Sequence, residues 1–226
     1  MDRRKWLAAI EATRELKVLR PVLQSWVKLV KDYCRMDSFE HNPWSYNERA
    51  SIGTLAGAAW RTPGWLATEE YCTTKVQSIP KSGIEMDGDR PGRCDLLLET
   101  SDTTYAIEAK HAWQPISKGA STLLKGMLLA LKDANSLTDD EGDHLIAATF
   151  TSPYMVLPPK WNGAVDLRET RRQVLSWLNE NVHGKFHNYA YVFPWQVEQY
   201  VSKHGRRLYP GVVLTLASRG ADVGRL

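Results

Sequence analysis

The chain has 226 residues, 43% hydrophobic and 24% charged, which suits one sizeable globular domain, or one domain with a helical extension. Its 29 basic and 26 acidic residues leave a net charge of only +3, too small to demand a nucleic-acid partner, though a local basic patch is compatible with one. Three scattered cysteines (Cys34, Cys72, Cys94) make no zinc or redox motif, and no run nears the roughly 20 apolar residues of a membrane span, so a soluble cytoplasmic protein with reduced thiols is expected.

In chain order, residues 3 to about 34 read as helical. Trp6, Leu7, Ile10 and Thr13 recur at helical spacing, as do Leu23, Trp26, Val27 and Val30, with Pro21 splitting the stretch or starting its second helix. Asp37 to Pro43 is turn-like, and Tyr46 to Trp60 is a helix rich in Ala and Gly. A first strand follows over Glu69 to Val76, then a loop from Pro80 to Arg93 that carries Gly83, Gly88, Pro91 and Gly92. Two strands, Arg93 to Leu98 and Tyr105 to Lys110, flank the polar turn Thr100 to Thr104. Ser117 to Ser136 is predicted as a helix with Leu124, Leu128 and Leu131 as its apolar stripe. His144 to Phe150 reads as a strand buried on both faces, Pro153 to Gly163 as a loop and Val165 to Leu178 as an amphipathic helix. Asn188 to Phe193 and Gly211 to Ala217 are late strands, and no internal repeat or low-complexity tract is present.

The chemistry-bearing feature is Asp95-x12-Glu108-Ala109-Lys110. Side chains alternate along a strand, so Glu108 and Lys110 share a face. A hairpin centred between Ser101 and Asp102 sets Asp95 directly opposite Glu108, with Cβ atoms about 5 Å apart. Two carboxylates that close repel unless a cation stands between them, and a divalent metal is the usual answer. A second acid-x-Lys triplet, Glu15-Leu16-Lys17, has no acidic partner on a neighbouring strand and reads as a solvated helical face.

This motif, in the order helix, three strands, helix, strand, resembles the PD-(D/E)XK nuclease superfamily over residues 46 to 150. That group includes many restriction endonucleases, junction resolvases and phage-type exonucleases. The nearest proline before Asp95 is Pro91, not the adjacent residue. The resemblance implies an α/β fold: a restriction-endonuclease-like mixed sheet (αβββαβ) flanked by helices. It divides the chain into an N-terminal helical extension, 1–45, and a nuclease-like domain, 46–226, with additions from 151. It further implies that Asp95, Glu108 and the Ala109 carbonyl hold Mg²⁺ or Mn²⁺, oxygen ligands that hard cations prefer. Lys110 then orients a water or stabilises the transition state of phosphodiester hydrolysis. An additional acid is expected from the helix before the first strand. Glu48 is the best placed, its alternative reading being a helix-start acid favoured by the macrodipole, and Glu69 and Glu70 compete with it.

His111 points to the opposite face from Lys110, in a core or supporting role. Of the basic residues, Lys118, Lys125 and Lys132 recur every seven positions, Arg168, Arg171 and Arg172 cluster, and Lys203 to Arg207 form a late run. Lys118, nearest the motif, is the expected phosphate contact; single basic residues are more often solvated faces. The nine tryptophans read as core. Nucleic acid, DNA first, is the expected partner, with a second copy or a partner protein beside it and no membrane. The rival expectation is a nuclease-fold module that binds without cutting.

Overall fold

The computed structural model describes residues 6–36, 38–75, 90–159, 164–196, 200–202 and 206–221. Its strands are β1 (Trp6–Glu11), β2 (Leu66–Lys75), β3 (Arg90–Glu99), β4 (Thr104–Pro115), β5 (His144–Val156), β6 (Tyr189–Pro194), β7 (Val201–Ser202), β8 (Arg207–Leu208) and β9 (Val212–Ser218). Its helices, among the described residues, are α1 (Arg20–Met36), α2 (Glu48–Trp60), α3 (Ser121–Ala134) and α4 (Leu167–Asn181). Helix starts follow local chemistry. Pro21 stands in the first turn of α1, where its missing N–H costs nothing. Asn47 caps α2 through the Ala50 N–H, and Asp166 caps α4 through those of Arg168 and Glu169.

The strands join in the order β1-β6-β9-β5-β4-β3-β2, with β7 and β8 alongside β5. Among the described strands only β4 and β5 run parallel, bridged by α3, so the protein is a mixed α/β structure. Period-two alternation sorts the sheet's side chains between two layers. Ile146, Ala148 and Phe150 of β5 and Leu214 and Leu216 of β9 pack into the cluster that holds α1 and α2. Ala147 and Val213 face the opposite cluster, which holds α3 and α4. β5 is buried from Leu145 to Thr151, the two-sided burial expected of it.

Three expectations need correction. Residues 6–11 are not helical: they form β1, paired antiparallel with β6 from Trp6–Pro194 to Glu11–Tyr189. Trp6 packs on the α1 side and Leu7 and Ala9 on the other, so an apolar run with helical spacing serves equally as a partly buried strand with apolar neighbours on both faces. Without β1, the N–H and C=O groups along that side of β6 would lack these partners. The N-terminal stretch is thus not helical throughout: β1, a strand of the common sheet, precedes α1, whose Leu23, Trp26 and Val30 share one core cluster with Ile107 and Leu214.

The stripe on α3 is also displaced. Leu123, Met127, Ala130, Leu131 and Ala134 are buried, whereas Leu128 is 55% exposed. Gly126 sets this phase: a Cβ there would stand 3.0 Å from Thr149 Cγ2, so the glycine lets the helix settle closely onto the sheet. Finally, the loop expected over 80–93 is shorter at its end, since β3 begins at Arg90; residues 76–89 lie outside the described ones.

Candidate functional site

β3 and β4 pair from Glu99–Thr104 to Leu96–Ile107, and the same register carried one step further sets Asp95 opposite Glu108, as the hairpin centre predicts. There the ladder stops. β3 stays paired with β2 down to Arg90, so β3 and β4 fork at Asp95. Two N–H groups of β4 beyond the fork are taken by carboxylates instead of backbone. Ala109 N donates to Asp95 Oδ2 at 2.8 Å, and His111 N donates to Glu48 Oε2 at 2.8 Å. Glu48 is the first residue of α2, so the helix that precedes β2 brings this carboxylate to the backbone of β4.

A crease in β2 and β3 shapes the rest. Glu70, which stands opposite Asp95 in register, has φ 51° and drops out of the ladder. Before it, Ala67 packs toward α1 and α2; after it, Tyr71 packs in a small cluster on the other face. In β3 the change is mirrored, with Leu96 and Leu98 on the first side and Cys94 on the second. A left-handed residue of this kind costs of order 1–3 kcal/mol and persists where the surroundings enforce it. Its consequence is that Lys75, at the end of β2, falls on the face of Glu108, with Nζ 2.8 Å from Oε1.

Glu108 is only 2% exposed, and burial, more than any other influence, pushes its carboxyl up to about 7, with Lys75 opposing and the Asp95 charge assisting. The Lys75 ammonium is close to Oε1 but poorly angled, and that oxygen makes no well-directed hydrogen bond. Lys110 shares the face of Glu108. Its Nζ donates to Ala109 O at 3.0 Å and pairs with Asp133 Oδ2 at 2.7 Å. Burial pulls the Lys110 pKa down, but the Asp133 bond and charge, then Glu48 and Asp95, outweigh it and leave the value raised. The Asp133 carboxylate thus favours the charged form of Lys110. Asp133 arrives because it lies seven residues beyond Gly126, on the side of α3 that settles closest to the sheet.

No family model, no curated protein and no solved structure matches the chain. What the site can do is thus read from its own atoms. Among the described residues, no three His, Cys, Asp or Glu side chains form a metal-binding group. The available donors are the two carboxylates Asp95 and Glu108 and the Ala109 carbonyl. An all-oxygen set with one or two carboxylates is what Mg²⁺ takes beside water and phosphate, and the buried, poorly bonded Glu108 Oε1 fits a cation at that place.

The other candidates fall outside this cluster. Glu69 is exposed, and Glu70 is turned outward, bound by Arg49 and by Arg93 at 3.0 Å. Lys118 lies exposed in a 3₁₀ turn, Ile116–Lys118, before α3 begins, at the opposite end of that helix from Asp133. The seven-residue basic stripe therefore keeps only Lys125 and Lys132 on the helix. Arg172 is bound to Glu169, Arg171 stacks over Trp195 and Arg207 over Tyr154, while residues 203–205 lie outside the described ones.

His111 lies on the face away from Lys110. Ser152 Oγ donates to Trp44 O at 2.7 Å, so it accepts from His111 Nε2 at 2.9 Å, and burial lowers this imidazole to about 4. Cys94 is buried beside Ile107 O, and desolvation pushes its thiol up to about 11, which removes it as a nucleophile. Sequence reasoning missed Lys75 and Asp133. The Gly126-to-Asp133 spacing was a signal for the second; for Lys75 the crease left none.

Proposed function

We propose that the chain is a metal-dependent nuclease of the PD-(D/E)XK type, hydrolysing phosphodiester bonds in nucleic acid, DNA in the first place. The observation that carries this reading is the fork at Asp95. There Asp95 and Glu48 each accept an N–H of β4, Glu108 stands one register step past the last β3–β4 pair, and Lys75 and Lys110 pair with acids on the same strand face or the helix above it. The observed order α2, β2–β4, α3, β5, with β4 and β5 parallel, accords with it.

In this reading Asp95, Glu108 and the Ala109 carbonyl hold Mg²⁺ or Mn²⁺. Such a cation supplies a water of lowered pKa and offsets charge building on the phosphate. The protein's own part is positioning and electrostatics. Asp133 holds the Lys110 ammonium with a proton to donate to a water or to a phosphate oxygen. Glu48 fixes the backbone of His111, and with it the strand that presents Lys110. Phosphate contacts come from basic side chains around the fork, of which Arg49 and Arg93 are exposed beside Glu48 and Asp95.

One observation favours a non-cutting binding module instead: both lysines of the cluster are already engaged by internal acids, Lys75 by Glu108 and Lys110 by Asp133. Incubating the protein with plasmid DNA, single-stranded DNA, branched DNA and RNA separates the two. Cleavage that requires Mg²⁺ or Mn²⁺ and falls by about 10²–10³ in Lys110→Ala supports the nuclease; binding with no product under any of these conditions supports the module.

A further inference from the structure

We propose that Lys75 is the resident counter-ion of the Asp95–Glu108 site, seated where a divalent cation would neutralise Glu108 and displaced from that carboxylate when one binds. The inference rests on the nuclease reading above and adds to it a residue outside the Asp-Glu-x-Lys motif.

Three features build this seat. The crease at Glu70 turns Lys75 onto the face of Glu108. Gly92, on the neighbouring strand, makes room for the lysine stem: a Cβ there would stand 2.8 Å from Lys75 Cγ, 2.9 Å from Cδ and 3.2 Å from Cε. The end of β2 is held by Glu141, whose Oε1 accepts from Thr74 N at 2.6 Å and whose carbonyl accepts from Tyr71 Oη at 3.2 Å. The side chain of Lys75 is 15% exposed and that of Glu108 3%, so the pair sits in a medium of low dielectric, where an uncompensated carboxylate would be costly.

An ammonium brings one charge and no vacant coordination; a divalent cation brings two charges and accepts both carboxylates and the Ala109 carbonyl at once. The two cannot both occupy the space against Glu108 Oε1. Lys75 thus keeps the metal-free site intact while competing with the metal for it. After displacement its four-carbon stem leaves the charge nearby, which repels the metal further.

The test is Mn²⁺ binding, measured by titration calorimetry on the full chain after chelator stripping. Lys75→Met keeps the stem and removes the charge, and should tighten Mn²⁺ binding by about tenfold or more, the scale of one unit charge acting near the site. Gly92→Ala unseats the lysine without altering any charge and should shift affinity in the same direction. Glu108→Gln should abolish binding. If the parent binds Mn²⁺ and Glu108→Gln does not, yet Lys75→Met and Gly92→Ala bind no more tightly than the parent, the role of Lys75 is overturned and the metal site stands. If neither the parent nor Lys75→Met binds Mn²⁺, the nuclease reading falls and takes this inference with it.

Discussion

Replacing Glu108 by Gln should stabilise the metal-free protein, and only above a defined pH. Glu108 has a value near 7 in the folded chain against 4.5 for an ordinary glutamate, because burial penalises its charge. This is an acid whose folded value is raised, so between those two values the folded state binds more protons than the unfolded one. Stability from this group is therefore complete below about pH 4.5 and is lost as the pH rises through 7. The gap sets a ceiling of about 3 kcal/mol. Gln mimics the protonated acid, and its amide oxygen still faces Lys75. The variant should exceed the parent by about 3 kcal/mol at pH 8, by about 1 kcal/mol at pH 5 and by almost nothing at pH 4. Urea unfolding with a chelator present, run on both proteins across that range, cancels in the difference the titrating groups that do not interact with Glu108. A gain that does not vary with pH, or no gain at pH 8, would refute the view that burial controls this carboxylate.

Lys110→Ala should lower metal-dependent cleavage by about 10²–10³, the usual loss for one preorganised electrostatic group. Its stability should change by only about 1 kcal/mol or less, because its partner Asp133 is 39% exposed, and unfolding curves report that separately from activity. Asp95→Asn retains an oxygen to accept the Ala109 N–H, so the metal-free unfolding temperature should match or exceed the parent's while plasmid cleavage is lost. Glu48→Gln should leave stability unchanged, since an amide oxygen still accepts from His111 N. Glu48→Ala orphans that N–H at a cost of about 1–2 kcal/mol, read from the shift in urea midpoint.

Much of the local structure was legible. The turn at Thr100 to Thr104 fixes the hairpin register, and register alone sets Asp95 opposite Glu108. Alternation places Lys110 with Glu108 and turns His111 away. The acid at the start of the helix before β2 could be named only from the family resemblance and its place in the chain; that its carboxylate reaches His111 N is decided by how α2 packs. β1 differs from the helical expectation because Trp6, Leu7 and Ile10 fit a helix face and a strand with apolar neighbours on both sides alike; what decides is the edge of β6, whose partners for β1 lie 178 to 188 residues away. The phase of α3 was misread by one position because Leu124 and Leu128 suggest a stripe, whereas Gly126 chooses the face that can approach Thr149.

The sequence by itself determined the acids, the motif lysine and their shared strand face, because period-two alternation and a short polar turn are local properties of the chain. The tertiary structure alone decided which charges answer them. Lys75 reaches Glu108 only because β2 and β3 crease together at Glu70 and Asp95, and Asp133 reaches Lys110 only because α3 packs closely at Gly126. Both depend on how one surface settles on another, and a buried carboxylate takes the nearest cation that the packing delivers.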